Sequence, residues 1–333
     1  MSAASTHQFK DNKVTRVAIV GSTGRVGGAF TKSLLATGNH TITAIVRSDS
    51  TSTPPAGVET VKLSYDDESA LVSALEGQDV FIITLGVAAP QDAQEKLVTA
   101  AAKAKVPYVF HNVYSADVLD EKLQSDIMIG HAELNARKLI EKLGVSKWVA
   151  FCCSFWYEWS LPMGKDTFGF DIKNKEAVFF DDGETVFHTS TWPQCGRAMA
   201  SLLSLPVSGD EGTTTLESFA NKPVYVASFE ITQKDILQSI LRVTGDKEED
   251  WKIEYESAMK RFEEGQKRMK SGDRGGFAQQ MYSRSMAKDG NTNFTGKLHN
   301  QVLGLEYEDL DELTKFCVDF VAEGRNWWTE LKT

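Results

Sequence analysis

Short apolar runs alternate with helical stripes of apolar residues through the first half of the chain. The runs, rich in Val, Ile and Phe, are typical of strands buried on both faces, because such strands do not need alternating polarity. Between them, apolar residues recur three and four positions apart, as on one face of a helix. The predicted strands are 17–20, 41–46, 59–63, 79–86, 107–110 and 148–155, and the predicted helices are 29–35, 68–75, 91–104 and 126–143.

This alternation predicts an α/β fold with a doubly wound parallel sheet of the Rossmann type. Right-handed crossovers between parallel strands place helices on both faces of the sheet. After residue 155 aromatic residues become frequent and regular repeats few. We therefore expect a dinucleotide-binding core over residues 14–155 and a smaller, mixed α+β substrate-binding part over 156–325. Some strands and helices of the second part are expected to return to the core.

The second part has weaker patterns, broken by polar segments rich in glycine. They predict strands at 177–180, 186–188 and 224–227, helices at 194–204, 232–244, 257–269 and 309–321, and mobile loops at 270–276 and 288–296.

A glycine-rich turn joins the first predicted strand to the first helix, with the sequence Gly21-Ser-Thr-Gly24-Arg-Val-Gly27. Glycines there let the chain turn sharply, let a diphosphate approach the backbone, and let the helix pack close to the strand. N–H groups at the helix N-terminus then face the anion. A plain turn with a chance glycine triplet is the alternative. The predicted dinucleotide-binding residues of this loop are Gly21, Thr23, Gly24, Arg25, Val26 and Gly27.

The ends of the next strands predict which dinucleotide binds. Arg47 and Ser48 follow the second strand, and an arginine there can pair with the 2′-phosphate of NADP, whereas an acidic residue would bind the ribose of NAD. The sequence thus favours NADP(H), with a solvated arginine as the alternative. Leu85 and Gly86 are expected along the same crevice. Asn112, after the fifth strand, is expected near the nicotinamide, or else it builds a turn.

Composition excludes several classes of function. The net charge is −10 and basic residues form no run, which argues against a nucleic-acid surface. No stretch approaches the roughly 20 apolar residues of a membrane span, and the N-terminal segment lacks the apolar core of a secretory signal. The four cysteines have no paired metal-ligand spacing. They fit a reducing compartment, so we expect a cytoplasmic protein with no metal site.

Several common catalytic patterns are missing from the sequence. None of the tyrosines has a lysine four residues later, so the tyrosine–lysine proton donor of common short-chain reductases is not expected. The Gly-x-Ser-x-Gly turn of hydrolases and the His-x-x-x-His and Cys-x-x-Cys metal patterns are also missing.

The glycine loop and Arg47, together with two further segments, resemble the NmrA-like branch of atypical short-chain dehydrogenases. The segments are Arg137-Lys-Leu-Ile-Glu141-Lys-Leu-Gly144 and Cys195-Gly-Arg-Ala-Met-Ala-Ser-Leu-Leu-Ser-Leu-Pro206. This branch includes plant isoflavone reductases and phenylcoumaran benzylic ether reductases, and the chain is most similar to fungal isoflavone-reductase-like proteins. The resemblance covers residues 16 to about 320. It implies a Rossmann domain, a small C-terminal substrate domain and NADPH as the cofactor.

One departure from that family concerns a lysine of the plant reductases to which the family resemblance assigns proton transfer or cofactor binding. Its place is taken here by Glu133. His131, two residues earlier, is a candidate donor because imidazole titrates near neutral pH, although a solvated helix histidine is the alternative. Tyr157 and Glu158 follow the sixth strand, where the family's substrate loop begins. They are further candidates, with packing as the alternative.

These observations predict an NADPH-dependent reductase of a small aromatic or phenolic metabolite, with an aromatic pocket formed by residues 155–159. The alternative is a regulator of the NmrA type that binds the dinucleotide and a protein partner without chemistry, as the lost lysine would suggest. An isomerase or epimerase that uses bound cofactor is a third reading. The oligomeric state stays open, and a homodimer is compatible with exposed apolar surface near the Trp-rich stretch.

Overall fold

A computed structural model describes residues 7–86, 89–128 and 130–330, apart from the side chains of residues 130, 131, 328 and 329. The N-terminal half contains β1 (Arg16–Val20), α1 (Arg25–Thr37), β2 (Thr41–Arg47), β3 (Val58–Leu63), α2 (Glu68–Leu75), β4 (Val80–Ile83), α3 (Ala93–Lys103), β5 (Tyr108–Phe110), α4 (Glu121–Asp126), α5 (Gly130–Leu143) and β6 (Lys147–Cys152).

The second half has shorter elements and more of them. They are β7 (Phe155–Trp156), α6 (Tyr157–Ser160), β8 (Phe170–Asp171), β9 (Glu176–Phe180), β10 (Phe187–Ser190), α7 (Trp192–Ser204), β11 (Lys222–Tyr225), β12 (Phe229–Ile231), α8 (Gln233–Thr244), β13 (Lys252–Glu256), α9 (Ala258–Lys270), α10 (Gly275–Ser285), α11 (Leu310–Ala322) and α12 (Trp327–Glu330). Short 3₁₀ helices cover Lys10–Asn12, Leu161–Met163, Leu216–Phe219 and Glu248–Asp250.

The central sheet has seven strands in the order β11-β6-β5-β4-β1-β2-β3. Every neighbouring pair in it is parallel, and β1 lies between β2 and β4 with Val17 opposite Ile42 on one side and Val80 on the other. From β1 the chain adds β2 and β3 on one side. It then crosses back and adds β4, β5 and β6 on the other side. The doubly wound parallel sheet predicted from the sequence is confirmed, and its order reverses between β1 and β4.

Helices cover both faces of this sheet, as continuous apolar strands require. On one face Val17 and Ile19 pack in a cluster with Phe30 of α1 and Met199 of α7. On the other face Ala18 and Val20 pack in a cluster with residues of α2, α3 and α5, namely Leu71, Leu97 and Ile140. The sheet is therefore fixed between two apolar layers, and only its strand ends are open to a ligand.

The second half builds two three-stranded sheets and also returns to the central sheet. The small sheets have the orders β12-β10-β7 and β13-β9-β8, and an aromatic-rich cluster that includes Phe168, Phe179 and Phe187 packs beside them. Meanwhile β11 adds to the edge of the central sheet beside β6, and α7 packs on α1. The boundary between residues 155 and 156 as the limit of a separate domain stays a prediction.

Some predicted elements were wrong in extent. The helix expected over 126–143 is α5 and begins only at Gly130, because the chain turns at 127–128, where Met128 adopts a φ of 63°. A separate short helix, α4, ends at Asp126. The strand expected over 148–155 ends at Cys152, and its last predicted residue begins β7. The loop expected over 270–276 is shorter, because α10 already begins at Gly275. Apolar content marks these segments, but not where each one ends.

The described helices include none whose length and apolar character would suffice to cross a bilayer. All four cysteines are buried and unpaired thiols.

Candidate functional site

The glycine loop lies at the carboxyl end of β1, against the end of β4. Gly21 has a φ of 80°, a conformation that favours glycine. A Cβ on Gly21 would lie 3.1 Å from the carbonyl carbon of Thr84 and closer still to its oxygen. A Cβ on Gly27 would lie 2.9 Å from the Gly21 carbonyl carbon. Both glycines are therefore required by close backbone packing, the first for the turn and the third for the helix.

The middle glycine leaves the start of α1 accessible. Gly24 is the N-cap residue, it is exposed, and no described side chain caps the helix there. The N–H groups of the first turn, at Arg25, Val26 and Gly27, have no partner within a helix by geometry. These donors and the positive end of the helix dipole make an anion site. This geometry fits the diphosphate of a dinucleotide.

Hydrogen bonds join the neighbouring strand ends into one crevice. The Thr84 hydroxyl donates to the Val20 carbonyl at 2.6 Å, and the Leu85 N–H donates to the Asn112 side-chain oxygen at 2.8 Å. The Asn112 N–H in turn donates to the Gln94 side-chain oxygen at 2.7 Å. The structure thus places Leu85 and Asn112 together at the ends of β4 and β5. Gly86, the next residue, is exposed.

Arg47 ends β2, and its side chain is 51% exposed. Its Nε lies 3.4 Å from a carboxylate oxygen of Asp49, an exposed ion pair that contributes little energy. Ser48 donates its N–H to the Leu63 carbonyl at 2.9 Å, which holds the end of β2 beside β3. The Arg47 guanidinium is therefore accessible to the 2′-phosphate of a dinucleotide. Asp49 is an acidic neighbour that the prediction from sequence did not take into account.

Arg25 has an unusual environment for a residue of a glycine loop. Its guanidinium carbon lies 5.3 Å, 5.4 Å and 4.5 Å from the ring centres of Trp159, Trp192 and Trp327. Burial by these rings lowers the pKa of Arg25 from its ordinary value, and the nearby Glu330 carboxylate opposes that effect. The three tryptophans come from separate parts of the second half, so the second half contacts the dinucleotide loop directly.

A buried group of polar side chains joins the end of β5 to the first half of α5. His111, immediately after β5, has its Nε2 3.1 Å from a Glu133 carboxylate oxygen, and Arg137 pairs with the same oxygen. His111 and Glu133 are almost completely buried. Burial lowers the pKa of His111 despite the opposing effect of Glu133. The imidazole is therefore neutral near pH 7 and donates from Nε2, since a carboxylate only accepts.

This group was missed by the sequence analysis, although a signal for it exists. Glu133, Ala136 and Ile140 lie three and four residues apart on α5, and all three are buried. A carboxylate within an apolar helical stripe needs a buried partner. Here the partners are Arg137, one turn along the helix, and His111, 22 residues away in sequence.

Of the two predicted proton donors, Tyr157 is in the core. It is fully buried, and its hydroxyl lies 2.7 Å from the Thr314 hydroxyl. Burial raises the pKa of Tyr157 well above its ordinary value. These contacts favour packing, the alternative that the sequence left open for Tyr157, over proton donation. The side chain of His131 lies outside the described residues, although its backbone belongs to the first turn of α5.

The aromatic run at 155–159 packs largely against other rings. Phe155 stacks on Tyr282 with 3.9 Å between ring centres, and Trp159 stacks on Trp327 at 6.3 Å. Glu158 is buried, and one carboxylate oxygen accepts the Trp192 N–H at 2.6 Å. This run therefore joins the start of α7 to the C-terminal end of the chain. A substrate pocket along it stays a prediction.

The parallel sheet, its reversal at β1 and β4, and the glycine loop at that point define a Rossmann-type dinucleotide-binding fold. Within that class, residues 13–176 match the model of the NmrA-like family. The resemblance to this family that the glycine loop and Arg47 carry is thereby confirmed.

Individual relatives agree with this assignment. Oxidoreductase poxI of Penicillium oxalicum is 26% identical over 286 residues, which are 82% of this chain and 84% of that protein. The solved structure of isoflavone reductase superposes with a TM-score of 0.71 at 19% identity, covering 92% of this chain and 99% of the other. AtPrR2, solved with NADP+ and (+)pinoresinol, gives 0.73 at 17% identity, with coverage of 92% and 99%. These two similarities show a shared fold.

Proposed function

We propose that this chain is an NADPH-dependent reductase of a small aromatic or phenolic metabolite. The observation that carries the proposal is the first turn of α1, which no described side chain caps and which lies in the glycine loop where the strand order reverses. Ligands of doubly wound sheets bind at that reversal. The similarity to a fungal oxidoreductase and to a reductase solved with NADP+ supports the same assignment.

Each part of the dinucleotide has a candidate partner in the chain. The N–H groups of Arg25, Val26 and Gly27 would hold the diphosphate. Arg47, beside Ser48, would pair with the 2′-phosphate. Leu85, Gly86 and Asn112 would lie along the nicotinamide end of the crevice. Thr23 of the glycine loop would lie beside the diphosphate. When bound, NADPH supplies the hydride, and the protein binds and orients it.

We assign the proton-donor role to His131 on the basis of its backbone position. The carbonyl of the next residue, Ala132, accepts from Gln94 at 3.1 Å, and the same Gln94 side chain binds the Asn112 N–H. The first turn of α5 is therefore tied to the ends of β4 and β5. An imidazole at this place can transfer a proton near neutral pH.

A second function is favoured by the environment of Glu133. At the position where the plant reductases have their lysine, this chain has a carboxylate paired with Arg137 and His111. The Glu133 carboxylate is held by these two partners, and no lysine ammonium is present at this position to donate a proton. This arrangement supports a regulator that binds the dinucleotide without chemistry and contacts a protein partner.

A binding and turnover experiment on the purified full chain separates the two functions. Calorimetric titration with NADP+ and with NAD+ is expected to show tighter binding of NADP+. The loss of NADPH absorbance is then followed with a panel of quinones, aromatic ketones and benzylic ethers. Turnover of any member supports the reductase. Binding without turnover over the whole panel supports the regulator, and failure to bind either dinucleotide overturns both.

A further inference from the structure

The C-terminal strap, as we name residues 320–327, contacts Arg25, the residue of the glycine loop that begins α1. Its last residue, Trp327, is buried and provides the nearest of the three rings around Arg25, at 4.5 Å. The strap comprises the last three residues of α11, the turn after it and the first residue of α12. The residues at the end of the chain therefore touch the residue that begins the dinucleotide-binding helix.

Several contacts besides Arg25 hold the strap in this position. The indole N–H of Trp327 donates to the Glu158 carbonyl at 2.7 Å. Its ring stacks on Phe320 with 4.3 Å between centres. The guanidinium carbon of Arg325 lies 4.4 Å from the centre of the same Phe320 ring. The strap thus has a defined docked conformation, rather than a single chance contact.

The aromatic surroundings of Arg25 converge from three distant segments. Trp159 belongs to α6, Trp192 is the first residue of α7, and Trp327 begins α12. Trp159 and Trp192 are held near each other by Glu158, which directly precedes Trp159 and whose side chain accepts the backbone N–H of Trp192. Three rings around one guanidinium fix its direction more firmly than one ring would. Because this side chain leaves the first residue of α1, holding its guanidinium limits how far that residue can move.

We propose that the C-terminal strap is part of the dinucleotide site, and that Arg25 is the positioning residue through which strap docking and dinucleotide binding reinforce each other. This inference rests on the proposed dinucleotide binding. A docked strap holds the first turn of α1 in the conformation that presents its N–H groups. Less conformational entropy is then lost when the dinucleotide binds. Because coupling of two equilibria is reciprocal, the bound dinucleotide stabilises the docked strap equally.

Binding measurements on paired variants test this coupling. Trp327→Ala and Arg25→Ala are each expected to raise the Kd of NADP+ about tenfold, a typical size for coupling between sites. The double variant is expected to bind about as weakly as either single variant, because both changes break one contact. Trp327→Phe, which keeps an aromatic ring, should recover most of the affinity. Phe277→Ala, which removes an exposed ring from α10, outside the strap and the glycine loop, is the matched control and should leave the Kd unchanged.

Proteolysis measures the reciprocal effect without any activity assay. Trypsin can cut after the exposed Arg325 within the strap, and saturating NADP+ is expected to slow that cut several-fold in the wild type but not in Arg25→Ala. If Arg25→Ala weakens binding while Trp327→Ala and Trp327→Phe do not, Arg25 acts on the phosphates directly and the strap has no part. An unchanged cutting rate with NADP+ bound also overturns the proposal. Absence of NADP+ binding by the wild type refutes the proposed function instead.

Discussion

Two adjacent glycines of α1 offer a sharp test of the glycine loop. Alanine at either Gly27 or Gly28 gains about 1 kcal/mol of helix propensity. At Gly28 the new Cβ would lie 3.6 Å from the Ser22 oxygen, an ordinary contact. At Gly27 it would lie 2.9 Å from the Gly21 carbonyl carbon and closer to its oxygen. The Gly21 carbonyl belongs to the backbone and cannot rotate away as a side chain could. Helix α1 therefore has to move by about 1 Å to restore normal contact.

The difference between the two variants isolates the cost of that movement, because both gain the same propensity. Overpacking of this kind costs about 1–3 kcal/mol. Gly28→Ala should therefore be more stable than the wild type, and Gly27→Ala less stable than Gly28→Ala by about 1–3 kcal/mol. Movement of the first turn also displaces its N–H groups. Since a misplacement of about 1 Å can cost up to 100-fold in a positioned interaction, NADP+ affinity should fall at least tenfold in Gly27→Ala alone.

Urea denaturation of both variants gives the free energies of unfolding, and calorimetric titration with NADP+ gives the affinities. Equal stability and equal affinity of Gly27→Ala and Gly28→Ala would refute the close-packing argument. Reduced stability with unchanged affinity would keep the packing but remove the first turn from the dinucleotide site.

Four further substitutions are expected to act at separate places. Arg47→Ala should lower the preference for NADP+ over NAD+ at least tenfold, because one charged hydrogen-bonded pair is worth about 1.5–3 kcal/mol; an unchanged ratio of Kd values would contradict the 2′-phosphate role. Burial raises the pKa of Glu158 to about 7 from an ordinary 4.5, so the folded protein binds a proton there that the unfolded chain releases. Its contribution to the free energy of unfolding then falls by about 3 kcal/mol as pH rises through this window, and Glu158→Gln should remove that slope in urea denaturation at several pH values. A difference between Glu158→Gln and wild type that does not vary with pH would show that the carboxyl is not protonated. His131→Asn should lower kcat about 100-fold with the Kd of NADP+ unchanged, whereas Tyr157→Phe should lose about 1 kcal/mol of stability and keep kcat; the opposite pattern would restore Tyr157 as the donor.

The central sheet was predictable because its determinants are local. A strand buried on both faces has a continuous apolar run, and Gly21 and Gly27 mark where the chain must turn and pack closely. The break between α4 and α5 was not predictable in this way. It occurs at Met128, an apolar residue in a left-handed conformation, and the nearby glycine, Gly130, belongs to α5 and not to the turn itself.

Contacts between distant segments account for the features that the sequence did not reveal. The aromatic run at 155–159 predicts burial, but composition cannot tell rings that face a ligand from rings that face each other. Trp159 contacts Arg25 and Trp327, which lie near opposite ends of the sequence. Likewise Glu133 signals a buried partner through its helical position, but His111 as that partner follows only from the fold.

The pairing of β11 with β6 has a consequence for biosynthesis. A nascent chain that has left the ribosome only as far as residue 155 already contains six strands of the sheet, but β6 then has an uncovered edge that residues 222–225 later fill. The layer beside α1 likewise waits for α7. Exposed strand edges pair readily with other chains. Translation that stops early would therefore yield a fragment prone to aggregate, and the Rossmann half needs the later half for its completion.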